Sequence, residues 1–341
     1  MIKPKLLRRL TWFAAILAVF FAQAFVAPPA AAQLTSALNA ASAPKFPKNW
    51  VNVPALDLES VRGKAVLLYF FEETCPKCRG KWPATMATAD KYEDQPILFV
   101  AVNSGTPKAN VEAYARAVQL KWPIIVDADR SFERECGVGP ISLQNIMQFR
   151  YVTAEGELKS GNWADLDGTI KQALVGAKWD IQPAEIPSDL RAAWRSIEFF
   201  QYAQAAPALK NALSSRNKAL TTAARKLSDL VDSRLKAELE AAQAQAESNK
   251  WRAYEHYQAI AVRFAGFPAA AGATKSAREL GKSQEVRKEI ANLKILDKQR
   301  ELAMSPEPAV RDRAMAKIRK LIDDQPTSEV ARLARKLLDE Q

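Results

Sequence analysis

The chain has 341 residues, a formal net charge of +11, three cysteines and one histidine. That length suggests two domains at roughly 150 residues each, and the interspersed charges argue for a solvated basic surface and against a nucleic-acid footprint. His256 lies far down the sequence from every cysteine, so a Cys-His nucleophile pair or a His-rich metal centre is not expected, and no cofactor is implied.

Residues 1–32 read as a secretory signal peptide. Lys3, Lys5, Arg8 and Arg9 precede an apolar run from Leu10 to Val26, and Pro28-Pro29-Ala30-Ala31-Ala32 supplies small residues for cleavage after Ala32. An uncleaved anchor helix is the alternative, but the stretch is short for a full span. Cleavage leaves Gln33 at the start of the mature chain, removes four basic residues and lowers the formal charge from +11 to +7. The mature protein is expected in the periplasm or secreted, with no later span, in a compartment that favours disulfides. Residues 33–50 follow as an Ala/Pro-rich linker.

The first mature domain is expected over 51–178. Val66 to Phe71 is a continuous apolar run of β-favouring residues, which marks a buried strand. Glu72-Glu73-Thr74-Cys75-Pro76-Lys77-Cys78 comes next. Pro76 suits the first position of a helix, because its missing N–H is harmless there. Cys75 then stands at the helix N-terminus, where unpaired N–H groups, the helix dipole and Lys77 favour a thiolate. Cys78 lies on the same helical face and is placed to resolve a mixed disulfide formed at Cys75. Glu72 and Glu73 oppose this by like-charge repulsion, which points to a less acidic nucleophile. A structural disulfide is the plainer reading of the pair. Half of a zinc site would need two further ligands, and there is no second such pair.

These residues resemble the thioredoxin superfamily, and within it the exported TlpA-like and redoxin (AhpC/TSA-like) group of thiol-disulfide oxidoreductases. Arg62-Gly63-Lys64, Phe70, Cys75, Cys78 and Pro83 match its motif, while Phe71 and Thr74 stand where the family has two tryptophans. Further matches are Ile97 to Val102, Trp122 to Asp127, Cys136-Gly137-Val138, and Phe149 to Glu157. The resemblance spans about Val51 to Ala177 and implies an α/β thioredoxin-like sandwich with a central mixed sheet. It also implies protein thiol or disulfide substrates, or a redox partner. Peroxidase chemistry is disfavoured, because Leu68 and Glu72 occupy the positions where a peroxiredoxin-like site requires proline and threonine or serine. Cys136 reads as a small buried hydrophobe. The family places a cis-proline against the cysteines; the register of Phe149–Thr153 gives Met147 that position, and Pro140 is the other candidate. Thr74, Pro76, Lys77 and Met147 are therefore the expected site-shaping residues around catalytic Cys75 and Cys78.

From residue 186 to 341 the sequence becomes an all-α domain. Leu220, Ala224, Leu227, Val231, Leu235 and Leu239 recur on one helical face, a packing stripe. Ile260, Phe264, Pro268 and Ala273 are echoed by Ile318, Ile322, Pro326 and Ala331. The run Trp251-Arg252-Ala253-Tyr254-Glu255-His256-Tyr257, with Phe264 and Pro268, is similar to a tetratricopeptide helix pair. The spacing of the echoes exceeds that family's repeat. Such pairs leave a face for a protein or peptide partner. His256 reads as a partly exposed helix residue. Two functions follow: an envelope thiol:disulfide oxidoreductase with a helical partner-docking domain, or a redox-silent thioredoxin-like scaffold for protein interaction.

Overall fold

The computed structural model describes residues 49–339 apart from 55, 57 and 143. The expected leader, and the linker up to residue 48, lie outside the described residues. Six strands form one mixed sheet: β1 (Trp50–Val51), β2 (Ala65–Phe71), β3 (Ile97–Ser104), β4 (Ile124–Asp127), β5 (Gln148–Val152) and β6 (Leu158–Ser160), in the order β1-β4-β3-β2-β5-β6. The central strands β2, β3 and β4 run parallel, whereas β1, β5 and β6 are antiparallel to their neighbours. Every residue of β2 and β3 is buried, which is why these segments read as unbroken apolar runs.

Alternation along β2 divides the core into two layers. Ala65, Leu67, Tyr69 and Phe71 face α1 (Pro76–Asp90), α2 (Lys108–Ala117) and α4 (Leu166–Ala173), through Trp82, Val111, Tyr114 and Ile170 among others. Val66, Leu68 and Phe70 face the opposite way, onto Phe132 of α3 (Ser131–Glu135) and a core that continues into the helical region.

That region comprises α5 (Arg191–Glu198), α6 (Tyr202–Leu213), α7 (Lys218–Ser248), α8 (Lys250–Arg263), α9 (Ala270–Leu280), α10 (Gln284–Ala303), α11 (Pro308–Asp324) and α12 (Glu329–Asp339). Asn217 starts the 31-residue α7, its side chain accepting the amides of Ala219 and Leu220 at 3.0 and 3.4 Å, the usual satisfaction of a helix's first free N–H groups. Ala224, Leu227, Val231 and Leu235 are buried along it, with Leu220 and Leu239 packed partly buried beside them. The two echoed segments each form a helix, a proline-containing turn and a second helix, α8–α9 and α11–α12. A second helical core joins Trp251, Val286, Leu296, Ile318, Val330 and Ala334.

The junction between the expected domains is a shared interior. Trp179 and Trp194 pack at 4.6 Å between ring centroids, Trp179 and Phe199 at 5.5 Å, and all three belong to the core that contains Val66, Leu68 and Phe70. Arg195 of α5 donates to the carbonyl of Ile97 at 3.0 Å. Lys64, 2% exposed, pairs at 3.1 Å with the fully buried Glu198 of α5, whose carboxylate also accepts the amides of Asp180 and Ile181. The sequence interval 178–186 therefore runs through a continuous core. At the far end the chain returns to the sheet: Arg300 of α10 pairs with Asp129 in the β4–α3 turn, and Lys336 of α12 reaches Glu135 at 3.0 Å.

Candidate active site

The cysteines lie where β2 hands over to α1. Cys75 is the N-cap, with extended backbone at φ −79° and ψ 108°, and Pro76 holds the first helical position. The Cys75 sulfur accepts the amide of Cys78 at 3.2 Å, so the helix end presents a donor to that sulfur. Both thiols are free, yet neither stands open: Cys75 is 4% exposed and Cys78 0%. The sulfurs at the helix start are thus nearly covered, although the neighbouring Thr74, Pro76 and Lys77 are all exposed. Burial, with the hydrogen bond and charge of Cys75, pushes the Cys78 thiol up to about 12.

The two glutamates act differently from the repulsion expected of them. Glu72 pairs with Arg130, which also holds Glu133 at 3.2 Å. The Glu73 carboxylate accepts from Asn103 Nδ2 at 3.2 Å and from Thr106 Oγ1 at 2.5 Å. Both charges are thereby tied to the carboxyl ends of β3 and β4. Arg130 itself has a left-handed backbone, φ 61°, and Gly105 leaves room for its guanidinium, since a Cβ there would sit 2.7 Å from it. A cleft of about 250 Å³ opens beside this pair, lined by Gly105, Asp129, Arg130, Arg300, Met304 and Leu337. None of the residues between 103 and 130 that brace the glutamates carries a sequence signal for that role.

Met147 directly precedes β5, whose Gln148 lies opposite Phe70 of β2. It packs half-buried against the cluster that contains both cysteines. Pro140 is exposed seven residues earlier, its carbonyl held by the Asn145 side chain at 3.2 Å. Among the described residues there is no cis peptide bond, and Met147 adopts φ 60°. Cys136 is buried in the opposite layer, with Val66 and Phe70, and burial pushes its thiol well above the usual range. The sheet separates it from Cys75 and Cys78. His256 bonds Glu238 at 2.6 Å on the helical side, remote from the cysteines in the core. Among the described residues no helix is long and apolar enough to cross a membrane.

Comparison with known proteins places this geometry. A model of the AhpC/TSA family matches residues 40–153. The thiol-disulfide oxidoreductase ResA of Geobacillus thermodenitrificans is 36% identical over 84 residues, 25% of this chain and 48% of that one. Its namesake in Geobacillus kaustophilus is 29% identical over 127 residues, 37% of this chain and 63% of the relative. The chain thus spans about half to three fifths of these relatives' length. Among solved structures, a thiol:disulfide interchange protein of the thioredoxin family from Chlorobium tepidum is 24% identical, with 34% of this chain and 83% of that chain covered at a TM-score of 0.29. The segment similar to the AhpC/TSA family takes in strands β1 to β5 of the six-stranded mixed sheet and the Cys75–Cys78 helix start, so the site lies in a thioredoxin-like fold that is followed by an all-helical region.

Proposed function

We propose that the protein is an exported thiol:disulfide oxidoreductase in which Cys75 exchanges with protein substrates and Cys78 resolves. The observation that carries this reading is the N-cap position of Cys75, whose sulfur accepts the Cys78 amide at 3.2 Å. An amide donor stands ready where an attacking or departing sulfur carries charge. The Cys75 sulfur attacks a substrate disulfide and releases one substrate thiol. Cys78 then attacks the Cys75 sulfur, the second substrate thiol leaves, and two electrons have passed to the substrate. The reverse sequence oxidises a dithiol. Thr74, Pro76 and Lys77 form the exposed rim, and Met147, packed against the cluster that holds the sulfurs, takes the part of the family's proline.

In the same reading the leader 1–32 directs export to the periplasm or beyond and is cleaved after Ala32. The helical region from 186 docks a protein or peptide partner. The near-complete burial of both sulfurs favours a second reading, a redox-silent scaffold. One experiment separates them: equilibrating the purified protein in glutathione and dithiothreitol buffers of graded potential. A reversible two-electron Cys75–Cys78 couple, lost in Cys75→Ser, is the expected result. A pair that neither oxidises nor reduces under native conditions would leave the scaffold.

A further inference from the structure

Tyr69 is a residue that packing alone does not explain. It is 1% exposed on the face of β2 that carries the cysteines. Its ring is held by Phe149, stacked at 4.6 Å, and by Trp82, edge-on at 4.8 Å, so the hydroxyl has no route to water. That hydroxyl has no hydrogen-bond partner. A buried, unpaired polar group costs roughly 1–3 kcal/mol, a cost phenylalanine would avoid in the same space. The other buried phenols of this layer differ: Tyr114 accepts the Trp82 indole N–H at 2.9 Å, and Tyr151 donates to Gln172 Oε1 at 3.3 Å.

Of the two sulfurs in this layer that carry transient charge during exchange, Cys75 has the Cys78 amide as a donor, and Cys78 is the other. In the dithiol it is turned toward Cys75. Once Cys75 is bonded to a substrate sulfur, Cys78 loses that partner and must react as a thiolate in a dry pocket. We propose that the Tyr69 hydroxyl donates a hydrogen bond to the Cys78 sulfur in the mixed-disulfide state and so supports the resolving step. This rests on the oxidoreductase reading above. Burial, and then the charge of Cys78, push the phenol above its ordinary range, so it keeps its proton and acts as a donor only. In the step, the Cys78 sulfur forms a bond to the Cys75 sulfur and the bond from Cys75 to substrate breaks. The proton that Cys78 gives up ends on the departing substrate thiolate, which leaves as the thiol. The phenol neither gains nor loses a proton overall, and when substrate attacks the oxidised pair it receives the departing Cys78 thiolate in the same way.

The test uses the reduced full chain and dithionitrobenzoate, whose thionitrobenzoate release reports two events: adduct formation at Cys75 and resolution by Cys78. Tyr69→Phe is expected to leave the first release within about twofold and to slow the second about tenfold, the equivalent of about 1.4 kcal/mol. Its melting temperature should equal or exceed that of the wild type, because an unpaired buried hydroxyl has gone. Tyr114→Phe, which removes a hydrogen-bonded phenol of the same layer, should leave the second release within about twofold. An unchanged second release in Tyr69→Phe overturns the proposal, and so does equal slowing in Tyr114→Phe, which would make the effect one of packing. Wild-type protein that releases no second equivalent overturns the oxidoreductase reading itself, and is distinguished from the other outcomes by that absence before any variant is compared.

Discussion

Removing the Glu198 carboxylate tests whether sheet and helices are one folding unit. In Glu198→Ala the ammonium of Lys64, 2% exposed, loses its partner at 3.1 Å. The amides of Asp180 and Ile181 lose an acceptor at 3.0 and 2.9 Å. Breaking a buried ion pair from one side costs about 3–5 kcal/mol. Lys64 keeps Asp180 at 3.2 Å, a half-exposed partner, which places the ion-pair part near the lower bound. The two orphaned amides add at least about 1 kcal/mol between them, for a total loss of about 4 kcal/mol. Replacing both charges, Lys64→Met with Glu198→Leu, removes the stranded ammonium and should recover about half of that. Urea unfolding followed by tryptophan fluorescence and far-ultraviolet circular dichroism reads both quantities. Because the core containing Trp179 and Trp194 extends from the sheet into the helices, the two signals should share one midpoint. A loss below about 1 kcal/mol, or two separated transitions, would refute the shared-core argument.

Met147→Pro should destabilise the fold by about 3 kcal/mol or more, since proline is fixed near φ −65° and Met147 sits at +60°; an unchanged urea midpoint would sink this. Burial, and then the charge of Asp129, push the Asp127 carboxyl up to about 7 from 3.8, against the pull of the Glu133 and Phe132 amides. The folded state therefore binds this proton more tightly than the unfolded one, and the contribution of Asp127 to stability falls as pH rises from 3.8 to about 7. Asp127→Asn should flatten that limb, and urea midpoints that retain the wild-type slope across the window would contradict it. Cys75→Ser should abolish thiol exchange, whereas Cys78→Ser should accumulate mixed disulfides visible by mass spectrometry; equal loss without adducts points to a structural bridge.

Strands β2 and β3 were legible because they are buried on both faces, so their apolar runs carry no competing alternation. The helix start at Pro76 was legible from the proline and the preceding strand. Phe149 set a register that points at Met147, and β5 does begin at the next residue. What covers the second face of β2 could not be read: Val66, Leu68 and Phe70 state a demand for apolar contact without naming Trp179, Trp194 or Phe199 as its suppliers. Glu72 posed the same difficulty. Its partner Arg130 stands 58 residues away, and a charge pattern along the chain is silent about pairs that only the sheet brings together.

The clasp between Arg300 and Asp129 joins positions 171 residues apart in the chain. Contacts of such separation form late, because the loop they close must lose its freedom before the contact returns anything. The turn they hold includes Arg130, which braces Glu72 beside the cysteines. During synthesis all six strands are made before α10, so a nascent chain passes through an interval in which Cys75 and Cys78 are present but this outer bracing is not. In that interval the turn that carries Arg130 lacks the Arg300 side of its clasp, so the surroundings of the two cysteines are looser than in the finished molecule.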